Sequence, residues 1–177
     1  EIGKELGFVS KLDKTKVVTF FTTKGGVLKT TLALNFSRMC ALHGINTLVI
    51  GLDMQGDITN AISEPVEIDE DQSISSAISR LDRVNGLYDF FQGKVQLEEV
   101  IQGTDLPTLF YLPETPELVM LNDSITNLNR REFWLMDKVV TKLRSNFDLI
   151  VFDCSPNWNR LTTNALCSSD ILVSPIE

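Results

Sequence analysis

Several short apolar runs set the rhythm of this chain. Residues 16–22, Thr47–Leu52, Leu109–Leu112, Leu149–Phe152 and Ile171–Val173 are rich in β-branched and aromatic side chains and are apolar almost throughout. Runs that do not alternate with polar residues predict strands buried on both faces. Between them the period changes. Leu32, Phe36, Met39, Cys40 and His43 follow the i, i+4, i+7, i+8, i+11 series of one helix face, and Gly44 ends it. Met136, Val139, Val140, Leu143 and Phe147 follow the i, i+3, i+4, i+7, i+11 series of another helix face. Shorter helices are expected at Ile74, Ala77, Ile78 and Leu81 and from Leu97 to Ile101. Pro65 and the acidic run at 67–71 read as a solvated loop, and the charged residues 1–15 as a lead-in or linker.

Strands alternating with amphipathic helices predict an α/β fold: a mostly parallel sheet covered by helices on both faces. Ligands of such sheets bind at the carboxyl ends of the strands. The segment after the first strand, Asp53 after the second and Asp153 after the strand at 149–152 all fall at that edge.

Composition narrows the classes. The 177 residues carry a net charge of −8, which on its face argues against nucleic-acid binding. Arg130, Arg131, Lys138, Lys142 and Arg144 nevertheless cluster on and before one helix, as a solvated face or a basic patch. No apolar run approaches the roughly 20 residues that span a bilayer. Cys40, Cys154 and Cys167 are scattered without C-x-x-C spacing, which fits reduced thiols, a cytoplasmic setting and no metal ligation. His43, the sole histidine, sits before Gly44 where a helix C-cap is expected.

The chemistry is carried by Lys24-Gly25-Gly26-Val27-Leu28-Lys29-Thr30-Thr31, between the first strand and the first helix. A strand, a glycine-rich turn ending in Lys-Thr and a helix make a phosphate-binding loop. Backbone N–H groups and the helix dipole hold phosphate oxygens, the lysine reaches the outer phosphates, and the threonine hydroxyl ligates Mg²⁺. Such a site needs a carboxylate at a strand end for the metal's waters, and Asp153 fits. Asp53 either caps the turn Asp53–Gly56 or orients an attacking water. Two irregularities stand out: a second lysine, Lys24, and Leu28 in place of glycine. If position 28 needs a positive φ, its Cβ costs about 1–2 kcal/mol, a strain that bound ligand can offset but that works against nucleotide binding; the alternative is a loop conformation that accepts Leu.

The segment Lys24–Thr31 resembles the K-G-G-V-G-K-T-T box of the ParA/MinD ATPases, the deviant Walker A branch of the P-loop NTPases. Leu48–Asp57 resembles L-L-V-D-x-D-P-Q-G-N, Leu106–Leu118 resembles I-P-A-T-P-E-L, and Phe147–Pro156 resembles Y-D-x-I-I-I-D-C-P-P. The likeness covers about residues 16–177. It implies a P-loop ATPase domain there, C-terminally incomplete relative to the family. Lys24 would reach the ATP of a dimer partner, and Lys29 would hold the β- and γ-phosphates. Thr30 and Asp153 would hold Mg²⁺, Thr31 would contact the α-phosphate, and Asp53 would serve hydrolysis. Departures from the pattern are Gly51 for the first Asp of D-x-D, Met54, Asp57, Ser155 and Leu28.

The implied function is plasmid or chromosome partition. A slow, Mg-dependent, partner-stimulated ATPase would form a homodimer when ATP-bound. It would hold DNA non-specifically through the family's C-terminal parts and answer to a ParB-like centromere-binding protein at the bacterial nucleoid, with no membrane contact. Three other readings stay open: a MinD-like membrane-positioning ATPase, a small-molecule synthetase or metal-cluster carrier on the same fold, and a degenerate nucleotide-binding scaffold.

Overall fold

The computed structural model describes residues 12–62 and 84–176. The helix expected at Ile74–Leu81, the acidic run at 67–71 and most of the lead-in lie outside them. The described elements are β1 (Lys16–Phe20), α1 (Lys29–Leu42), β2 (Thr47–Leu52), α2 (Asp57–Ile62), α3 (Leu87–Phe91), α4 (Leu97–Val100), β3 (Gln102–Gly103), β4 (Leu109–Leu112) and α5 (Leu118–Ile125). A 3₁₀ turn (Arg131–Phe133) and a π-helical turn (Met136–Val140) then lead into α6 (Thr141–Leu143), followed by β5 (Leu149–Cys154), α7 (Arg160–Ser168) and β6 (Ile171–Val173).

The six strands lie in the order β3-β4-β2-β5-β1-β6, all parallel except the two-residue β3. The expected α/β architecture therefore holds. Chain direction diverges at β1. The connection through α1 runs to β2 on one side, and the connection from β5 through α7 runs to β6 on the other. That divergence opens a crevice at the strand C-termini.

Residue parity separates the two faces. Val17, Leu48, Ile50, Ile150 and Phe152 pack with α5, α6 and α7 in the main core. Val18, Phe20, Leu149 and Val151 pack on Ala33 of α1, and Val49 and Tyr111 on Ala41 and Ile58. The second predicted helix is present and buries Val139, Val140 and Leu143 as its period requires.

Helix α1 inverts the expectation drawn from its large residues. Leu32, Phe36 and Met39 are exposed, at 45%, 39% and 55%. The buried seam is instead Lys29, Ala33, Ser37 and Ala41. These residues recur every fourth position, and the small side chains of Ala33, Ser37 and Ala41 let the helix lie close against the sheet. Ser37 Oγ donates to Ala33 O at 2.7 Å, which satisfies the polar group inside the seam. His43 caps the helix and Gly44 takes φ 76°, as expected.

The α1 face carries one gap. Gly51 pairs with Asp153 across β2 and β5, and a Cβ built on Gly51 would overlap the Cγ, Cδ and Oε1 atoms of Glu114. Glu114 follows β4 and is 8% exposed. Its Oε2 accepts from the Ile58 N–H at 2.9 Å and the Thr59 N–H at 3.1 Å. Burial pushes its carboxyl up to about 7 and the charge of Asp153 pushes the same way, against the backbone amides of Thr59, Asp53 and Ile58.

Two outcomes are expected. Ala33→Leu overfills the α1 seam and lowers stability by about 1–3 kcal/mol, whereas Met39→Ala stays within about 0.5 kcal/mol, both read from urea unfolding. The second concerns pH. Glu114 binds its proton more tightly folded than unfolded, so its contribution favours the fold below pH 4.5 and is lost as pH rises through about 7. Relative to Glu114→Gln, the wild type therefore loses up to about 3 kcal/mol between pH 5 and 8.

Candidate functional site

The loop after β1 must turn the chain from the sheet edge into α1. Gly26 does so with φ 77°, and Leu28 takes the left-handed region at φ 59°, ψ 25°, as the residue preceding α1. Position 28 thus does require positive φ. The Leu28 side chain is 66% exposed and offers no cap to the helix. The backbone geometry, rather than any contact of the side chain, is what this residue provides.

The α1 seam aims Lys29 at the sheet. Lys29 Nζ lies 2.6 Å from Asp153 Oδ1, with the two side chains 8% and 0% exposed. Thr30 Oγ1 donates to Asp153 Oδ2 at 2.7 Å. Burial raises the Asp153 carboxyl above its ordinary value. Lys29 and the Thr30 hydroxyl pull it back down, and Asp53 raises it further. Asp153 sits in register between Phe20 of β1 and Gly51 of β2, so one carboxylate ties the loop, the helix and the central strands together.

A cavity of about 290 Å³ opens over this cluster, lined by Lys24 through Thr31 with Asp53, Asp57 and Pro156. Every residue expected to hold phosphate borders it, as does Asp53. Lys24 is exposed at the mouth. Asp53 Oδ1 accepts from the Gln55 N–H at 3.2 Å and Gly56 N donates to Asp53 O at 3.3 Å, so the capped turn is present as well. Turn capping and a place at the cavity coexist in one side chain.

The donor set suits magnesium. A hydroxyl and a carboxylate oxygen sit together at Thr30 and Asp153, and a phosphate-bound Mg²⁺ keeps most of its waters and takes few protein ligands. Among the described residues no cluster of three His, Cys, Asp or Glu could cage a metal. All three cysteines are free, and burial pushes the Cys154 thiol far up, which keeps it inert.

The basic cluster does not converge on this cavity. Arg130 pairs with Asp137 at 3.3 Å, Arg131 with Glu132 at 2.8 Å, and Lys142 lies 5.1 Å over the Phe90 ring. Two residues at the site edge carried little sequence signal: Asp57, noted only as a departure, and Glu114. The sole hint of the latter was a carboxylate in Leu112-Pro113-Glu114-Thr115 where the resembling pattern has alanine.

The family model for an AAA domain (AAA_31) matches residues 15–177. The chromosome-partitioning ATPase Soj of Treponema pallidum is 28% identical over 162 residues, covering 92% of this chain and 57% of that protein. The sporulation initiation inhibitor protein Soj of Bacillus subtilis is 27% identical over 162 residues, covering 92% and 58%. This chain therefore spans little more than half the length of these relatives. Among solved structures, a plasmid partition protein from Borrelia burgdorferi superposes with a TM-score of 0.73 at 24% identity, over 92% of this chain and 66% of that one. Cobyrinic acid a,c-diamide synthase from Mycobacterium smegmatis with bound ADP and magnesium gives 0.76 at 24%, over 92% and 60%. At those identities the structures speak to the fold alone. With nearly its whole length matched, the chain belongs to the AAA domain family, and its similarity there runs to partition ATPases of the Soj/ParA type.

Proposed function

We propose that residues 16–177 form a P-loop ATPase domain, preceded by a lead-in at 1–15, that binds ATP with Mg²⁺ and hydrolyses it slowly as a switch for plasmid or chromosome partition. One observation carries this reading: Lys24, Lys29, Thr30, Asp53 and Asp153 border or underlie a single cavity at the strand C-termini. The relative named as a chromosome-partitioning ATPase supports it, as does one named as a chromosome partitioning protein ParA.

Roles follow from position. Backbone N–H groups from Gly25 to Thr31 and the N-terminus of α1 suit phosphate oxygens. Lys29 would hold the β- and γ-phosphates, Thr30 would ligate Mg²⁺ and Asp153 would hold its waters. The metal supplies charge neutralisation at the phosphates. Asp53 borders the cavity from the end of β2, where a carboxylate can orient a water for in-line attack. Lys24, exposed at the mouth, suits a partner's nucleotide more than its own. A cation brought there by a second copy stabilises charge on the bridging oxygens and makes dimerisation depend on ATP.

The ATP-bound dimer would hold DNA without sequence preference and release it when a ParB-like partner stimulates hydrolysis, in the cytoplasm at the nucleoid. No described helix is long and apolar enough to cross a membrane. Arg130, Arg131 and Lys142 are engaged locally, so this cluster is not assigned as the DNA surface.

In the protein, Lys24→Ala should bind Mg-ATP within about threefold of wild type, a difference of less than 1 kcal/mol. It should lose both ATP-dependent dimerisation in light scattering and retention on DNA. Equal retention by the two proteins would overturn the dimer switch. Leu28→Gly relieves the left-handed backbone at the cost of glycine's extra unfolded freedom. A net gain of about 0.5–1 kcal/mol in denaturant stability is expected, with Mg-ATP binding retained.

A further inference from the structure

Two neighbouring irregularities on the α1 face, a glycine in a buried strand and a buried glutamate after the next strand, share one volume. Gly51 is the position on β2 whose side chain would stand beside Asp153. It has none, and the carboxyl of Glu114 occupies that place. Of its two oxygens, Oε2 takes the backbone N–H groups of Ile58 and Thr59, and Thr59 Oγ1 lies 3.4 Å from it. In return the Glu114 N–H donates to Thr59 Oγ1 at 2.7 Å. One side chain thus holds the first turn of α2, into which the turn at Asp53–Gly56 leads. The other oxygen, Oε1, is buried without a hydrogen-bond partner among the described residues. Leaving an acceptor unpaired costs about 1–3 kcal/mol, which a residue kept only for packing would not retain.

The grip matters because the segment has little else to hold it. Helix α2 has only six residues, too few to stand alone. Ile58 is its fully buried anchor, with Ile62 close behind. Ile58 and Thr59 lie in the first turn of α2, where amides have no partner within the helix. Without Glu114 these amides lose their acceptors, and the loop bearing Asp53 and Asp57 loses its register against the phosphate loop.

We propose that Glu114 is a positioning residue for ATP hydrolysis: from the end of β4, in the space left by Gly51, its carboxyl fixes the Asp53–Thr59 segment so that Asp53 faces the phosphate loop. The role rests on the ATPase reading above. It assigns to Glu114 an effect on the rate of hydrolysis rather than on nucleotide affinity, since it bonds the segment that follows Asp53 and not the loop that wraps phosphate. Small displacements of an orienting group are enough to lower a rate by about a hundredfold.

The test combines kinetics with amide exchange on the full-length protein. Glu114→Ala should lower kcat at least about tenfold, equivalent to 1.4 kcal/mol, while the Kd for Mg-ATP stays within about threefold. Exchange at the Ile58 and Thr59 amides should rise by a similar factor, with the strands unchanged. Gly51→Asp in the Glu114→Ala background returns a carboxylate to the same volume and should recover kcat to within about threefold of wild type. Glu114→Gln keeps an acceptor oxygen and should keep those two amides protected, which covers the case in which the alanine variant does not fold. Unchanged exchange at Ile58 and Thr59, or a kcat within twofold of wild type in Glu114→Ala, overturns the proposal. A wild type that binds no Mg-ATP overturns the ATPase reading instead, and amide exchange alone then decides whether Glu114 holds the segment.

Discussion

The buried pair of Lys29 and Asp153 is the constraint around which the molecule is arranged. A charge pair at 2.6 Å with 8% and 0% exposure is stable only if both partners are present and further hydrogen bonds satisfy the remaining lone pairs. Thr30 supplies one such bond to Asp153. Removing either partner leaves an uncompensated buried charge, which costs about 3–5 kcal/mol. The pair therefore fixes where α1 begins, how closely it lies on the sheet and which way the loop after β1 points. The small residues of the α1 seam follow from the same demand, because a lysine on a helix reaches a strand carboxylate only if the helix sits near the strands.

That coupling explains which parts of the fold could be read from the sequence. Strands buried on both faces announce themselves, and β2 and β4 fall where the apolar runs predict. The run at Ile171–Val173 instead forms β6 at the sheet edge, with Ile171 and Leu172 49% and 54% exposed, so its predicted burial on both faces does not hold. The phosphate loop was legible because its chemistry demands fixed residue types in consecutive positions. The face of α1 was not. Its large apolar residues, Leu32, Phe36 and Met39, mark a helix correctly and its orientation wrongly. Hydrophobic periodicity measures which face is greasy. Here proximity to the sheet, set by Ala33, Ser37 and Ala41, decides which face is buried.

Glu114 was illegible for a different reason. Gly51 alone looks like a lost contact and Glu114 alone like a loop carboxylate. Only the register that brings Gly51 beside Asp153, and the return of the chain after β4, shows that the two residues divide one volume. Sites built by consecutive residues are visible in one dimension, whereas sites built by exchange between strands need the third. The Asp53 turn lies between these cases, since its hydrogen bonds are local but its place at the cavity comes from the sheet.

The departures from ordinary local preference gather at one edge. Leu28 in the left-handed region, the unpaired oxygen of Glu114 and the raised carboxyl of Asp153 all lie at the C-terminal ends of the parallel strands. At the opposite edge polar groups are matched: Asp148 Oδ2 accepts from Asn46 N at 3.0 Å, and Thr15 Oγ1 donates to Phe147 O at 2.9 Å. The comparison with Arg130, the other non-glycine residue at positive φ among the described residues, is instructive. Its guanidinium is engaged by Asp137 and lies 5.3 Å over the Phe133 ring, so its local conformation comes with local compensation. Leu28 has an exposed side chain and no cap interaction, and its backbone is held by what the loop must do. Strain without local return is stable only where surrounding structure over-determines it, and such positions cluster where a protein does its chemistry. By that criterion the cavity over Lys29 and Asp153, rather than the basic surface around α6, is where this chain's stability has been spent.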